Sequence, residues 1–328
     1  MEKRVIEVSW GTLWRIFTFL IFAVILLFSR DILLGLFMAL VVSSGLDALV
    51  DFLERKGVPR SLGVVLIFLL AAFVIAIVIY FIIPFLIADI KNLFANDGEV
   101  FQHFLDKLGN SGAAASFSAA ITKFSSDIFS GGYSSVAFFS KLLGDVGLAA
   151  AILMSSFYLT LSHDGVERFI RAVFPDEAGA KALRIYTRSR RKIGFWFQSQ
   201  ILLSFIMGFL VWMALLVLGV KHAFVIGVLA GIFEIVPFVG PIFSGAVGVL
   251  VALTTSATLG FYTLVVFVVL QQIESHFLVP LLMRKTIDMH PVVVIGALLI
   301  GIELGGLLGA LVAVPLAAVV QEVLAERG

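Results

Sequence analysis

The sequence predicts an all-α integral membrane fold, and three observations carry that prediction. Of the 328 residues, 61% are hydrophobic and 14% charged, whereas an average soluble domain is about 25% charged. The apolar residues fall into runs of bilayer length divided by short charged stretches. Two of these runs are too long for one straight span, and each is broken by an acid beside prolines or glycines. The expected architecture is about six full transmembrane helices plus two oppositely oriented re-entrant helical hairpins, eight hydrophobic segments in all, with a small α-helical external region.

The composition also excludes classes. A net charge of +1 lacks the basic excess of a nucleic-acid binder, so no nucleic acid is expected as a partner. With no cysteine there is no disulfide framework, thiolate metal site or cysteine nucleophile. The chain contains no His-Glu-x-x-His and no Gly-x-Ser-x-Gly, so no catalytic residues, metal site or enzyme activity are expected. No cofactor is expected beyond a coupling ion, H+ or Na+.

In chain order, Lys3, Arg4 and Arg15 precede an apolar run to Phe28 that lacks a small-residue cleavage site and reads as a retained first span. Ile32 to Val50 returns, Glu54 to Arg60 is a basic loop, and Ser61 to Leu86 is a third span with Pro84 near its far end. Residues 1–88 thus form an N-terminal scaffold. From Asp89 to Asp145 the chain turns to Ser, Gly, Ala and scattered charges, with six acids against four lysines. There Phe117, Ile121, Phe124 and Ile128 mark one face of an amphipathic helix.

Gly147 to Leu161 is a short fourth span, and residues 146–193 join it to the strongly basic stretch Arg168 to Lys192. Arg184, Arg188 and Arg191 share a helical face and are expected to lie against anionic lipid on the cytoplasmic side of the membrane. Gly194 to Gly219 is a fifth span and opens the core, residues 194–328.

The first hairpin is expected at 222–255. As one helix it would be about 50 Å long at ~1.5 Å per residue, against a hydrocarbon core of ~30 Å. A kinked span is the alternative, and charge separates the two. The N-terminus and the loops at 55–60 and 168–192 are inside by their basic residues, and 89–145 is outside. A hairpin at 222–255 brings Arg284 and Lys285 inside as well, whereas a kinked span would leave them outside. The second hairpin, 291–321, is broken near Glu303, Gly305 and Gly306 and enters from the cytoplasm, leaving the C-terminus inside.

An ionisable residue at membrane depth reads as functional. Glu234, Glu274 and Glu303 are the candidates for binding a proton or cation, with Gln271, Gln272 and Ser275 as further substrate or ion contacts. On an α-helix, Gln271, Glu274 and Ser275 share one face and Gln272 and His276 another. Pro237, Gly240, Pro241, Gly305, Gly306 and Pro315 are candidate hairpin tips and hinges, since a broken backbone exposes half-helix ends that hold ions.

These blocks carry a resemblance. Gly231 to Pro241 (GIFEIVPFVGP), Gln271 to Pro280 (QQIESHFLVP), His290-Pro291 and Gly305 to Pro315 (GGLLGALVAVP) resemble the signature of the autoinducer-2 exporter family, the UPF0118-type permeases. Gly194 to Gly208, with Gln200, resembles a weaker motif of that family. The family pattern commonly has Asn where this chain has Glu234, and a small residue where it has Glu303. The resemblance implies a secondary transporter that moves a small solute outward, either autoinducer-2-like or in sodium–proton exchange, by alternating access. With no Gly-x-x-x-x-Gly-Lys loop, gradients would supply the energy. The alternatives are a passive oligomeric channel and a non-transporting structural partner. The Phe-rich surfaces (32 Phe) suggest a homo-oligomer, with a pentamer as the working expectation.

Overall fold

The computed structural model describes residues 10, 14, 17, 29–77, 135–162, 164–237, 239–283 and 289–326. The expected first span, most of the external region and the basic pair Arg284-Lys285 lie outside the described residues. Among the described residues there are nine helices and no strand. They are α1 (Arg30–Arg55), α2 (Arg60–Ile77), α3 (Ser135–Leu161), α4 (Gly165–Val173), α5 (Asp176–Val217), α6 (Ala223–Phe233), α7 (Val239–Thr255), α8 (Ala257–Met283) and α9 (Pro291–Ala325).

Four of these, α1, α5, α8 and nearly all of α9, are long and apolar enough to cross a membrane. A third or less of each apolar window is buried inside the protein. Leu66, Leu69, Leu70 and Phe73 on α2, and Leu264, Val265, Val268 and Val269 on α8, are exposed. Contiguous apolar surface of this kind is stable only against lipid or another apolar partner.

The basic stretch and the fifth span form one helix rather than a linker and a span. At 42 residues and ~1.5 Å per residue, α5 is about 63 Å long, so its basic N-terminal half extends well past a ~30 Å hydrocarbon core. Helix α3 likewise starts at Ser135, before the expected start of the fourth span.

Close backbone approach at glycines sets the packing. Gly194 of α5 lies against the Ser44 carbonyl of α1, and Gly45 of α1 lies under the Phe197 ring of α5. Gly208 of α5 faces Gly227 and Gly231 of α6, where a Cβ on Gly208 would stand 3.0 Å from the Gly227 oxygen. These contacts bring α6 antiparallel along α5. Phe267 of α8 then fills the space over Gly245 and Gly248 of α7. The main core joins α5, α6, α7 and α8 through Leu203, Met207, Ile226, Val251 and Phe267.

Each segment expected as a hairpin is divided into two helical arms by a break. Helix α6 is followed by a turn at 234–237 that leads to α7. Helix α9 breaks at Gly305 (φ −146°) and Gly306 (φ +56°), the latter a conformation that favours glycine. Its arms, 291–304 and 307–325, fold onto each other so closely that the backbones of Gly301 and Gly309 meet. Entry residues Met289 and His290 and exit residues Gln321 and Leu324 line one cleft. The second hairpin therefore returns to the end from which it starts. Pro315 is buried inside the second arm, beyond the turn.

One end of the assembly is tied by charge. Arg60 bonds Asp47 and Asp51 of α1, each at 2.9 Å, and donates to the Thr160 carbonyl of α3 at 2.8 and 3.1 Å. Arg190 of α5 pairs with the other oxygen of Asp47.

Candidate functional site

The first hairpin turns where its backbone must. Pro237 pushes the residue before it out of helical conformation, and α6 ends at Phe233 with Glu234 as its cap. Helix α7 starts at Val239, so Pro241 sits in its first turn, where a missing N–H breaks no helical bond. The Glu234 side chain folds back over that turn. A Cβ on Gly240 would stand 2.5 Å from Oε2 of Glu234 and 2.7 Å from its Cα, so only glycine fits without displacement. The carboxyl group thus lies beside the N-terminus of α7, the helix end that favours negative charge.

Glu274 approaches from α8. There the helix widens into a π-turn, Glu274–Leu278, a rare form that recurs at functional sites. The extra residue rotates the side chains away from α-helical spacing. Glu274 is buried (6% exposed), while Gln272, Ser275 and His276 are exposed. Ser275 consequently leaves the face it would share with Glu274 on an α-helix, and its Oγ donates to the Gln271 carbonyl at 2.9 Å. Gln271 stays with Glu274, donating from Nε2 to Oε2 at 3.2 Å. Nδ1 of His276 lies 3.1 Å from the Gln272 carbonyl.

The two carboxyl groups meet. Glu234, 1% exposed, and Glu274 lie within side-chain hydrogen-bonding reach of each other. Behind them Gln200 of α5, 2% exposed, donates from Nε2 to the backbone carbonyl of Glu234 at 2.5 Å. Among the described residues no group of three or more His, Cys, Asp or Glu could hold a metal ion. The arrangement can exchange a proton between carboxyls, or hold a cation through oxygens alone.

Glu303 is exposed near the second turn and is not brought to this pair. Val236, at the first break, packs on Leu298, Ala310 and Ala313 in the two arms of the second hairpin. Gly305 packs against Leu34 of α1. The first break therefore meets the body of the second hairpin rather than its turn.

Residues 16–327 match the AI-2E family transporter description, nearly the whole chain. The chain belongs to the AI-2E transporter family. It is 25% identical to YueF of Bacillus subtilis (strain 168) over 84% of this chain and 78% of that protein. With YrrI of the same organism the identity is 24%, over 89% and 85% of the two chains. With MT0215 of Mycobacterium tuberculosis (strain CDC 1551 / Oshkosh) it is 25%, over 92% and 86%. All three bear provisional names as transport proteins. Membership of the AI-2E family, together with the apolar helices, makes this a multi-pass membrane protein of transporter type.

Within this AI-2E family chain, the motif of Gly194 to Gly208 marks Gln200, but its partner, a backbone carbonyl 34 residues away, is not legible in the sequence. The predicted lipid-facing arginines also gain a protein partner: Arg184 and Arg188 both reach Glu326, at 2.8 and 3.4 Å. Arg191 is exposed near Asp47 and Gln198.

Proposed function

We propose that this protein is a secondary active transporter, an ion- or proton-coupled exporter of a small solute. The observation that carries the reading is the meeting of Glu234 and Glu274, one at a broken helical hairpin and the other at a π-turn, both buried. An acid pair at a helix break in an apolar body has little structural value. It serves a charge that arrives and leaves.

In the mechanism, one carboxyl of the pair keeps its proton, as two acids sharing a buried site do, and a proton or sodium ion that binds at the other neutralises the pair. The neutralised hairpin then moves with α8 and the second hairpin against the scaffold of α1, α2 and α3, exposing the site to the other side. Arm lengths support re-entrance. Helices α6 and α7, with 11 and 17 residues, reach about 16 and 25 Å, less than the ~30 Å hydrocarbon core. We place the protein in a prokaryotic inner membrane with both termini and the basic half of α5 in the cytoplasm and residues 89–145 outside. The exposed apolar faces suit a homo-oligomer in lipid. The solute is autoinducer-2-like, or sodium itself in exchange for protons. Gradient-driven flux in proteoliposomes, with each carboxyl removed in turn, tests the reading.

A further inference from the structure

The second hairpin carries a cleft that the carboxyl pair does not use. It holds about 580 Å³ between the two arms of α9. Small residues, Gly296, Gly301 and Ala317, line it beside the exposed side chains of Ile300, Leu316 and Val320. A Cβ on Gly296 would meet nothing within 4 Å, so the cleft is open there. Among the described lining residues only His290 and Gln321 are polar, both at the end where the arms enter and leave. A polar solute finds no partners along such a wall, whereas exposed apolar surface is stable against hydrocarbon. At ~1.5 Å per residue the arm 291–304 is about 21 Å long, enough to hold a chain through one leaflet of a ~30 Å core. A third helix, about 10–12 Å across with its side chains, would ride on Ile300, Leu316 and Val320 and leave Gly296 uncovered. A single hydrocarbon chain reaches it.

The mouth of this cleft is basic. Glu326, two residues beyond the lining residue Leu324, pairs with Arg184 at 2.8 Å and Arg188 at 3.4 Å. The charge of Lys181 also acts on Glu326. Three cations of α5 thus meet one carboxylate, while Lys192, one turn further along, is matched by Glu322. Both guanidinium groups stay about half exposed and have donors beyond those that Glu326 takes. We propose that the cleft binds an anionic phospholipid, with one acyl chain between the arms of the second hairpin and the phosphate against Lys181, Arg184 and Arg188. Basic groups at the end of an intramembrane pocket suit acidic headgroups, and guanidinium matches phosphate through paired hydrogen bonds. The bound lipid ties the second hairpin to the basic half of α5, beside the Glu326 contacts.

The test is native mass spectrometry of the full-length protein released from detergent. Phosphatidylglycerol and phosphatidylcholine with the same acyl chains are added separately to wild type, Gly296→Leu and Lys181→Gln. Wild type retains phosphatidylglycerol more tightly than phosphatidylcholine. Gly296→Leu, which fills the cleft, weakens retention of both. Lys181→Gln lowers the affinity for phosphatidylglycerol about fivefold, as expected for one basic group at a headgroup, and leaves phosphatidylcholine unchanged. Should Gly296→Leu not fold, Lys181→Gln decides alone. Equal retention of the two lipids by wild type, or variants that retain both as wild type does, overturns the site. Displacement of the lipid by inorganic phosphate would reduce it to a bare anion site and overturn the acyl-chain cleft. A changed oligomer mass in Gly296→Leu would mean that a second copy covers the groove, which also overturns it. No flux is read, so loss of this site and loss of the transporter reading are separate results.

Discussion

Gly240 and Glu234 touch so closely that a single methyl group between them would stand 2.5 Å from the carboxyl oxygen. The acid is held by the backbone of the helix it faces, so the turn and the site are one object. Gly240→Ala should destabilise the protein by about 1–3 kcal/mol through overpacking and displace the Glu234 carboxyl. A lowered melting point together with reduced flux is the expected result. A variant with both unchanged would mean that the hairpin turn is loose.

The second hairpin depends on a different glycine contact. Gly309 meets the Gly301 carbonyl across the turn, whereas Gly306 has open space around it and only its φ of +56° against it. Gly309→Ala should therefore cost at least about 1–3 kcal/mol. Gly306→Ala should cost only the strain of a positive-φ conformation reserved for glycine (φ +56°, ψ −134°), roughly 1–3 kcal/mol. Thermal midpoints of the two variants, measured side by side in detergent, check the order. Gly306 being the more sensitive would contradict the packing.

Both breaks were legible in the sequence because backbone chemistry is local: Pro237, Gly240, Gly305 and Gly306 act on their own residues. The candidate site was only half legible. Glu234 and Glu274 stand out as acids in apolar runs, but their meeting is a tertiary fact. Helical arithmetic put Ser275 beside Glu274, and the π-turn at Glu274–Leu278 removes it. No periodicity signals such a turn. The Arg184–Glu326 contact joins residues 142 apart and was equally invisible.

Asp47 holds two arginines, Arg60 and Arg190, with both partners and itself about 15–16% exposed. Removing one member of a fully buried ion pair costs about 3–5 kcal/mol, and partial exposure reduces this. Asp47→Asn should lower stability by about 1–3 kcal/mol. It should also loosen α2 and α5 from α1, seen as faster amide exchange at the start of α2. No change in exchange there would show that apolar packing alone holds these helix ends.

The chain end carries a pH-dependent tie. The hydrogen bond from Arg184, supported by the charges of Arg184 and Arg188, holds Glu326 below its usual carboxylate range. A depressed folded-state pKa stabilises fully above the unfolded value of about 4.3 and loses that contribution as pH falls through the folded value. The difference in melting point between wild type and Glu326→Gln should shrink as pH is lowered from about 6 toward 3, and high salt should reduce it at every pH. A difference independent of pH would remove the carboxylate from the account.

The most direct measurement is flux in proteoliposomes under an imposed pH or sodium gradient, with wild type, Glu234→Gln and Glu274→Gln compared. Sodium and autoinducer-2 are supplied separately as the transported species. The account predicts saturable, gradient-driven movement of at least one of them in wild type. Each glutamine variant should lose the coupled movement although its side chain keeps nearly the same size. Undiminished flux in both variants, or wild-type flux indifferent to either gradient, would contradict the central claim that the two carboxyls form the coupling site.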